Sequence, residues 1–183
     1  MVMLGCRPEG RYTEQHDIFF GIGIDLKSLL PDMKAFWPEA KGKIHIDAWR
    51  EVTVVDDFTI KIIEKKLNDD YRIGTEQKLF FLNLGGYKPH EFEEYHYKIL
   101  TVAPTLSAAT KTAKATTFYK HCGFEGATSH IDDKFGIDID DFYNVQDILD
   151  ELTKSKYSIQ INTSIEVLVH DELHIGYVPI SKL

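Results

Sequence analysis

The sequence predicts an α+β protein: two β-β-α-β-β repeats forming a pseudo-twofold unit with antiparallel sheets. Three observations lead there. Strand-period alternation recurs along the chain and is interrupted by two stretches of helical spacing. LGCRPEGRYTEQH (Leu4 to His16) lies without a gap on LGGYKPHEFEEYH (Leu84 to His96), at an offset of 80 residues. Two further similarities follow in the same order. HID recurs at 45–47 and 130–132, and FTIKII (58–63) resembles YSIQIN (157–162). Ordered self-similarity of this kind is the signature of an internal repeat.

Each element has a local reason. Val2 to Gly5 is a short apolar strand, and DIFFGIG (Asp17 to Gly23) is an apolar, glycine-punctuated one. DLKSLLPDMKAFW places Leu26, Leu29, Leu30, Met33 and Trp37 at helical spacing, with Asp25 as the expected N-cap. Pro31 should kink or split that helix. KIHIDAWREV alternates, and FTIKII follows the Asp56-Asp57 turn. The second half repeats the order: KLFFLNL, HYKILTVA, the Ala- and Thr-rich helix LSAATKTAKATTFYKH, SHID and KYSIQI. Repeat one spans 1–66 and a polar linker spans 67–77. Repeat two spans 78–163, with an inserted loop and short helix over 133–152. A C-terminal hairpin closes the chain over 164–183.

Bulk properties narrow the function. The chain has 183 residues and a formal net charge of -8. Such a balance argues against broad nucleic-acid binding or an anionic-membrane surface. No apolar run approaches the roughly 20 residues of a membrane helix. The apolar start is too short for a signal peptide, so a cytoplasmic setting is expected. Cys6 and Cys122 make no CxxC pair, which disfavours a disulfide scaffold or a cysteine-rich zinc site.

Side chains at i and i+2 of a strand share a face. His45 and Asp47 therefore point together, and His130 and Asp132 repeat the arrangement. Glu14 and His16, and Glu94 and His96, have the same spacing. If these segments are neighbours, each repeat gathers Glu, His, His and Asp. That set admits three readings. It can be a hydrogen-bonded network that fixes the glycine loops. It can be a metal site, with His16, His45 and Asp47 as candidate ligands. It can be an acid-base pair in which a carboxylate orients a histidine.

Repeat one adds arginines that repeat two lacks. Arg7 faces Tyr87, Arg11 faces Glu91, and Arg50 in WREV faces Tyr143 in FYNV. Guanidinium forks match carboxylate and phosphate geometry. The sharper expectation is a small-anion site built from Arg7, Arg11, His16, His45 and Arg50, bordered by Glu14 and Asp47. Nothing in the sequence names a cofactor.

Four phrases carry a resemblance: GCRPEGRYTEQHDIFFGIG, FWPEAKGKIHIDAWREV, FFLNLGGYKPHEFEEYHYK and SHIDDKFGIDIDDFYNVQDIL. They resemble a bacterial family catalogued as domain of unknown function 1543, most clearly over 4–152. The resemblance implies a small intracellular bacterial protein and brings no activity, cofactor or catalytic residue. The first expectation is thus a small-anion-binding or interaction module with its pocket in repeat one. A metal-dependent or histidine-based enzyme at the same place is the alternative. A homo-oligomeric structural protein assembling through strand edges is the third.

Overall fold

The structure is a computed structural model. It describes residues 1–65, 76–87, 90–115, 137–164 and 167–183, with backbone alone for residues 87, 114 and 137–140. The chain is α+β, with mostly antiparallel sheets and few, short helices.

The first sheet holds β1 (Val2–Cys6), β2 (Gln15–Phe19), β3 (His45–Trp49) and β10 (His174–Pro179), in the order β10-β3-β1-β2. One face of β1 is apolar, and α1 (Leu30–Phe36) covers it. Met33 of α1 is fully buried against Val2, Leu4 and Ile46. A second sheet holds β6 (Lys78–Tyr87), β7 (Glu94–Ala103) and β8 (Ile137–Asn144), in the order β7-β6-β8. α2 (Leu106–Lys114) lies on it and buries Ala109 and Ala113 against Phe80, Leu82 and Leu84. These small side chains let the helix approach the sheet closely. The Thr105 hydroxyl accepts from the Ala108 amide at 3.2 Å, an N-cap of the usual kind.

The third sheet is β4 (Val54–Val55), β5 (Phe58–Glu64) and β9 (Tyr157–Thr163). Its central ladder pairs Ile60 with Ile161, Lys61 with Gln160 and Ile62 with Ile159. Between the sheets lies a core of Ile18, Phe20, Ile60, Leu79, Phe81 and Val102, among others. β6 is therefore apolar on both faces: Phe80 and Leu82 meet α2, while Leu79 and Phe81 meet this central core. That double burial explains the unbroken apolar run KLFFL. Asp56 ties the layers, accepting from Thr101 Oγ1 and the Val102 amide at 2.9 Å each.

The first two sheets share a frame. Gly5 pairs with His16, and Gly85 pairs with His96. The register of the third strand shifts between Met3 and Leu4 in one sheet and between Asn83 and Leu84 in the other.

Several elements differ from the sequence reading. The helix expected from Asp25 begins at Leu30, with Pro31 in its first turn, where a missing N–H costs nothing. Asp25 instead closes a turn, accepting from the Ser28 amide at 2.7 Å. The 133–152 segment is not simply a loop with a short helix: it contains strand β8. Ile137 and Ile139 alternate with acidic residues there, a strand pattern. Two short helices follow, α3 (Val145–Ile148) and α4 (Glu151–Lys156), capped by Asn144 and Asp150. The expected C-terminal hairpin is absent among the described residues. Residues 167–173 form no strand, and β10 pairs with β3, whose outer edge supplied open backbone groups. The linker 67–77 lies outside the described residues up to position 75, and His130 and Asp132 lie outside them too.

Candidate functional site

Gly5 is the centre of the site. It sits in the middle strand, with His16 opposite on β2 and His45 opposite on β3. A side chain at Gly5 would share their face, and there is no room for one. A Cβ placed there would fall below 3.0 Å from His45 Nε2 and Asp47 Oδ2. The glycine is thus the space that both side chains occupy.

Asp47 is the extra residue of a β-bulge. Leu4 pairs with Ile46 and Met3 with Ala48, so Asp47 has no partner of its own on β1. Bulges re-aim side chains, and this one brings the Asp47 carboxylate to the histidines. Glu14 enters from the hairpin just before β2. The distances then follow: His45 Nε2 lies 3.2 Å from Glu14 Oε1 and 3.3 Å from Asp47 Oδ2. His16 Nε2 lies 3.4 Å from the same Asp47 oxygen and 3.9 Å from Glu14 Oε2. The four residues that the sequence set at i, i+2 spacing do converge.

Burial is uneven. His45 is 7% exposed and its ring packs on Tyr177 of β10, centroids 4.5 Å apart. His16 and Glu14 remain open to solvent. His45 Nε2 and Asp47 Oδ2 are buried and lack a hydrogen-bond partner despite their closeness. Buried polar atoms without partners are rare. Here the two atoms lie 3.3 Å apart without forming a hydrogen bond. Glu14, His16 and His45 each offer a ligand atom within 4.8 Å of the others. A tetrahedral ion with bonds of 2.0–2.1 Å spaces its ligands about 3.3 Å apart, close to three of the four separations above.

Cys6, next to Gly5, points to the opposite face and into the core. Burial, then the Glu14 charge, push its thiol above the usual range, partly offset by Lys43. It is therefore a packed thiol and not a nucleophile.

The arginines do not join the histidines as expected. Arg50 lies at the far end of β3, roughly 16 Å along the strand from His45 at about 3.3 Å per residue. There it exchanges main-chain hydrogen bonds with Met1. Arg7 and Arg11 sit on the β1–β2 hairpin beside Lys43, around a separate solvent-open recess of about 520 Å³. Two carboxylates at the histidine cluster make that spot repel anions, so a single pocket of Arg7, Arg11, His16, His45 and Arg50 is not formed.

The second sheet differs. His96 lies 3.9 Å from Glu94, in the register of His16 and Glu14. The residue facing Gly85 from the third strand is Asp138, where Gly5 meets His45. The expected counterpart of HID at 130–132 lies outside the described residues, and β8 supplies DID (138–140) at that register. Sequence reasoning missed Gly5 as a site residue and missed Tyr177. The glycine pair at 5 and 85 was visible in the alignment of LGCRPEGRYTEQH with LGGYKPHEFEEYH; nothing local marked Tyr177, which arrives through β10.

Among the described residues no helix is long and apolar enough to cross a membrane. No curated protein matches the chain. The crystal structure of a protein Il1583 from Idiomarina loihiensis is similar in fold, with a TM-score of 0.56 at 19% identity. The match covers 98% of this chain and 94% of that one. Residues 11–62, which carry Glu14, His16, His45, Asp47 and Arg50, match the family described as Domain of Unknown Function (DUF1543). The family resemblance read from GCRPEGRYTEQHDIFFGIG and KIHIDAWREV thus holds over residues 11–62.

Proposed function

We propose that the chain is a metal-binding protein whose site is Glu14, His16 and His45, with Asp47 as fourth ligand or as the group that orients the two imidazoles. One observation carries this reading: buried His45 Nε2 and Asp47 Oδ2 lack hydrogen-bond partners while facing Glu14 and His16 at ligand–ligand spacing. Two imidazoles with carboxylates suit zinc, manganese or iron(II). Such an ion supplies Lewis acidity and lowers the pKa of bound water. Gly5 keeps the space, the bulge aims Asp47, and Tyr177 shields His45 from solvent. A position left open by Asp47 would make the centre catalytic; a closed set of four would make it structural.

An anion-binding role moves to the hairpin recess. Among the described residues the guanidinium groups of Arg7 and Arg11 have no ion-pair partner. They lie a few residues from the proposed metal and suit a small phosphate or carboxylate. We also read the chain as an internal duplication acting in the cytoplasm. Supporting the duplication, the 99-residue offset between FTIKII and YSIQIN maps Lys61 onto Gln160, its own ladder partner, as a local twofold axis requires.

The test is thermal and chemical unfolding of tag-free protein with zinc, manganese or iron(II). An ion at 100 times its dissociation constant should add about 2.7 kcal/mol. His45→Ala should abolish that gain, and His96→Ala should keep it. A flat response to all three ions would overturn the metal reading and leave a structural network.

A further inference from the structure

We propose that the cavity between the first sheet, the third sheet and α3 binds a small amphiphile with an apolar tail and a carboxylate head. The cavity has a volume of about 620 Å³, within the usual range for small-molecule sites. Its walls are apolar, including Phe20, Ile22, Trp49, Ile60, Leu79 and Ile159. They come from separate elements: the loop after β2, the end of β3, the β5–β9 ladder and the start of β6. Side chains of two distinct cores line it, so it is a gap between packed layers rather than a surface dimple.

The polar groups at its margin are specific. Asp25 is engaged by the Ser28 amide and Thr53 by Asp171. Arg50 is different. Its main chain is fixed by the two hydrogen bonds with Met1, and the residue is half-buried. Yet its guanidinium makes no ion pair or hydrogen bond among the described residues. Glu51 follows Arg50 in the chain but is exposed and forms no pair with it. A half-buried arginine at the rim of an apolar cavity is complementary to a carboxylate whose tail enters the cavity. An uncharged ligand would leave that fork unmet. A ligand bearing only a charge would leave the walls uncovered. This site shares no residue with the histidine cluster and stands or falls independently of a metal there.

The experiment compares decanoate with decanol, the same chain without charge, by calorimetric titration of the full chain. Decanoate should bind at least about tenfold more tightly, the worth of one charge-assisted hydrogen bond. Arg50→Gln should remove that difference and leave decanol affinity unchanged. Ile159→Trp, checked for native circular dichroism, should fill the cavity and weaken both ligands. Equal affinity of the two for the unaltered chain would overturn the proposal. So would no binding of either, or a tenfold preference that survives Arg50→Gln. The first and second outcomes are read on the unaltered chain and need no variant.

Discussion

The first and second sheets hold the same strand order and a glycine at the same place, yet they surround it with different chemistry. Around Gly5 stand His16, His45, Asp47 and Glu14, with Tyr177 laid over His45. Around Gly85 stand His96 and, in backbone register, Asp138. The hairpin of the first sheet carries Arg7 and Arg11; that of the second carries Glu91, whose carboxylate accepts a hydrogen bond from the Tyr95 hydroxyl. The first sheet also gains a fourth strand, β10, which the second lacks. A backbone frame can thus stay constant while its polar content changes, because the frame is set by the buried faces. Leu4, Ile46, Leu82 and Leu84 are fully buried; the site residues lie on the other face.

The comparison breaks first if the two frames are not equal scaffolds. Leu4 and Leu84 occupy matching positions and both have no solvent exposure. Leu4→Ala and Leu84→Ala should each destabilise by about 2–5 kcal/mol, the usual result of emptying a core leucine site. Urea unfolding with unchanged slope measures it. A loss confined to one variant would mean that only one sheet carries the fold.

The next effect belongs to the first sheet's glycine. Gly5→Ala places a methyl group where His45 Nε2 and Asp47 Oδ2 now sit. Overpacking of this kind typically costs about 1–3 kcal/mol. Unlike Leu4→Ala, it should also abolish any zinc-dependent gain in stability. If Gly5→Ala lowers stability and zinc still stabilises the variant fully, the imidazoles do not meet over Gly5 as described.

Much of this was legible in the chain, and the limits have physical causes. The i, i+2 rule placed His45 beside Asp47 and Glu14 beside His16, because strand geometry is local. The meeting of the two pairs required β2 and β3 to flank β1 in one register, which the Gly5–His16 and Gly5–His45 pairings supply. Asp47 reaches the cluster through a bulge, and a bulge shifts one residue without a mark in composition. Arg50 read as a neighbour of His45 from its sequence distance, but an extended strand carries it away. The strand IDIDDFYN reads as part of an insertion once HID at 130–132 is matched to 45–47. Register follows apolar pairing instead: Leu84 meets Ile139 as Leu4 meets Ile46. The partner of β10 lies far back along the chain, and no local pattern reveals such a pairing.

The smallest effect separates the two halves where they diverge most, between the third strand and the shared ladder. The first half crosses by β4 and the Asp56-Asp57 turn, while the second uses α3 and α4. α4 begins at Asp150, whose carboxylate accepts from the Thr153 amide at 2.9 Å. The hydrogen bond from the Thr153 side chain is the main cause holding this carboxyl below its ordinary range, with main-chain bonds adding to it against burial. A depressed folded-state pKa stabilises the protein above the unfolded-state value and stops doing so as pH falls through the folded-state value. Asp150→Ala should therefore cost about 1 kcal/mol near neutral pH, the common worth of an N-cap, reduced by solvent screening at this exposed site. The deficit should shrink below about pH 4, where the parent carboxyl begins to protonate. Asp150→Asn keeps a capping oxygen without the titration, so its stability relative to Ala should stay flat with pH. If Asn and Ala lose the same stability at neutral pH, the carboxylate acts through its charge rather than as a cap, and the second half's crossing is held electrostatically.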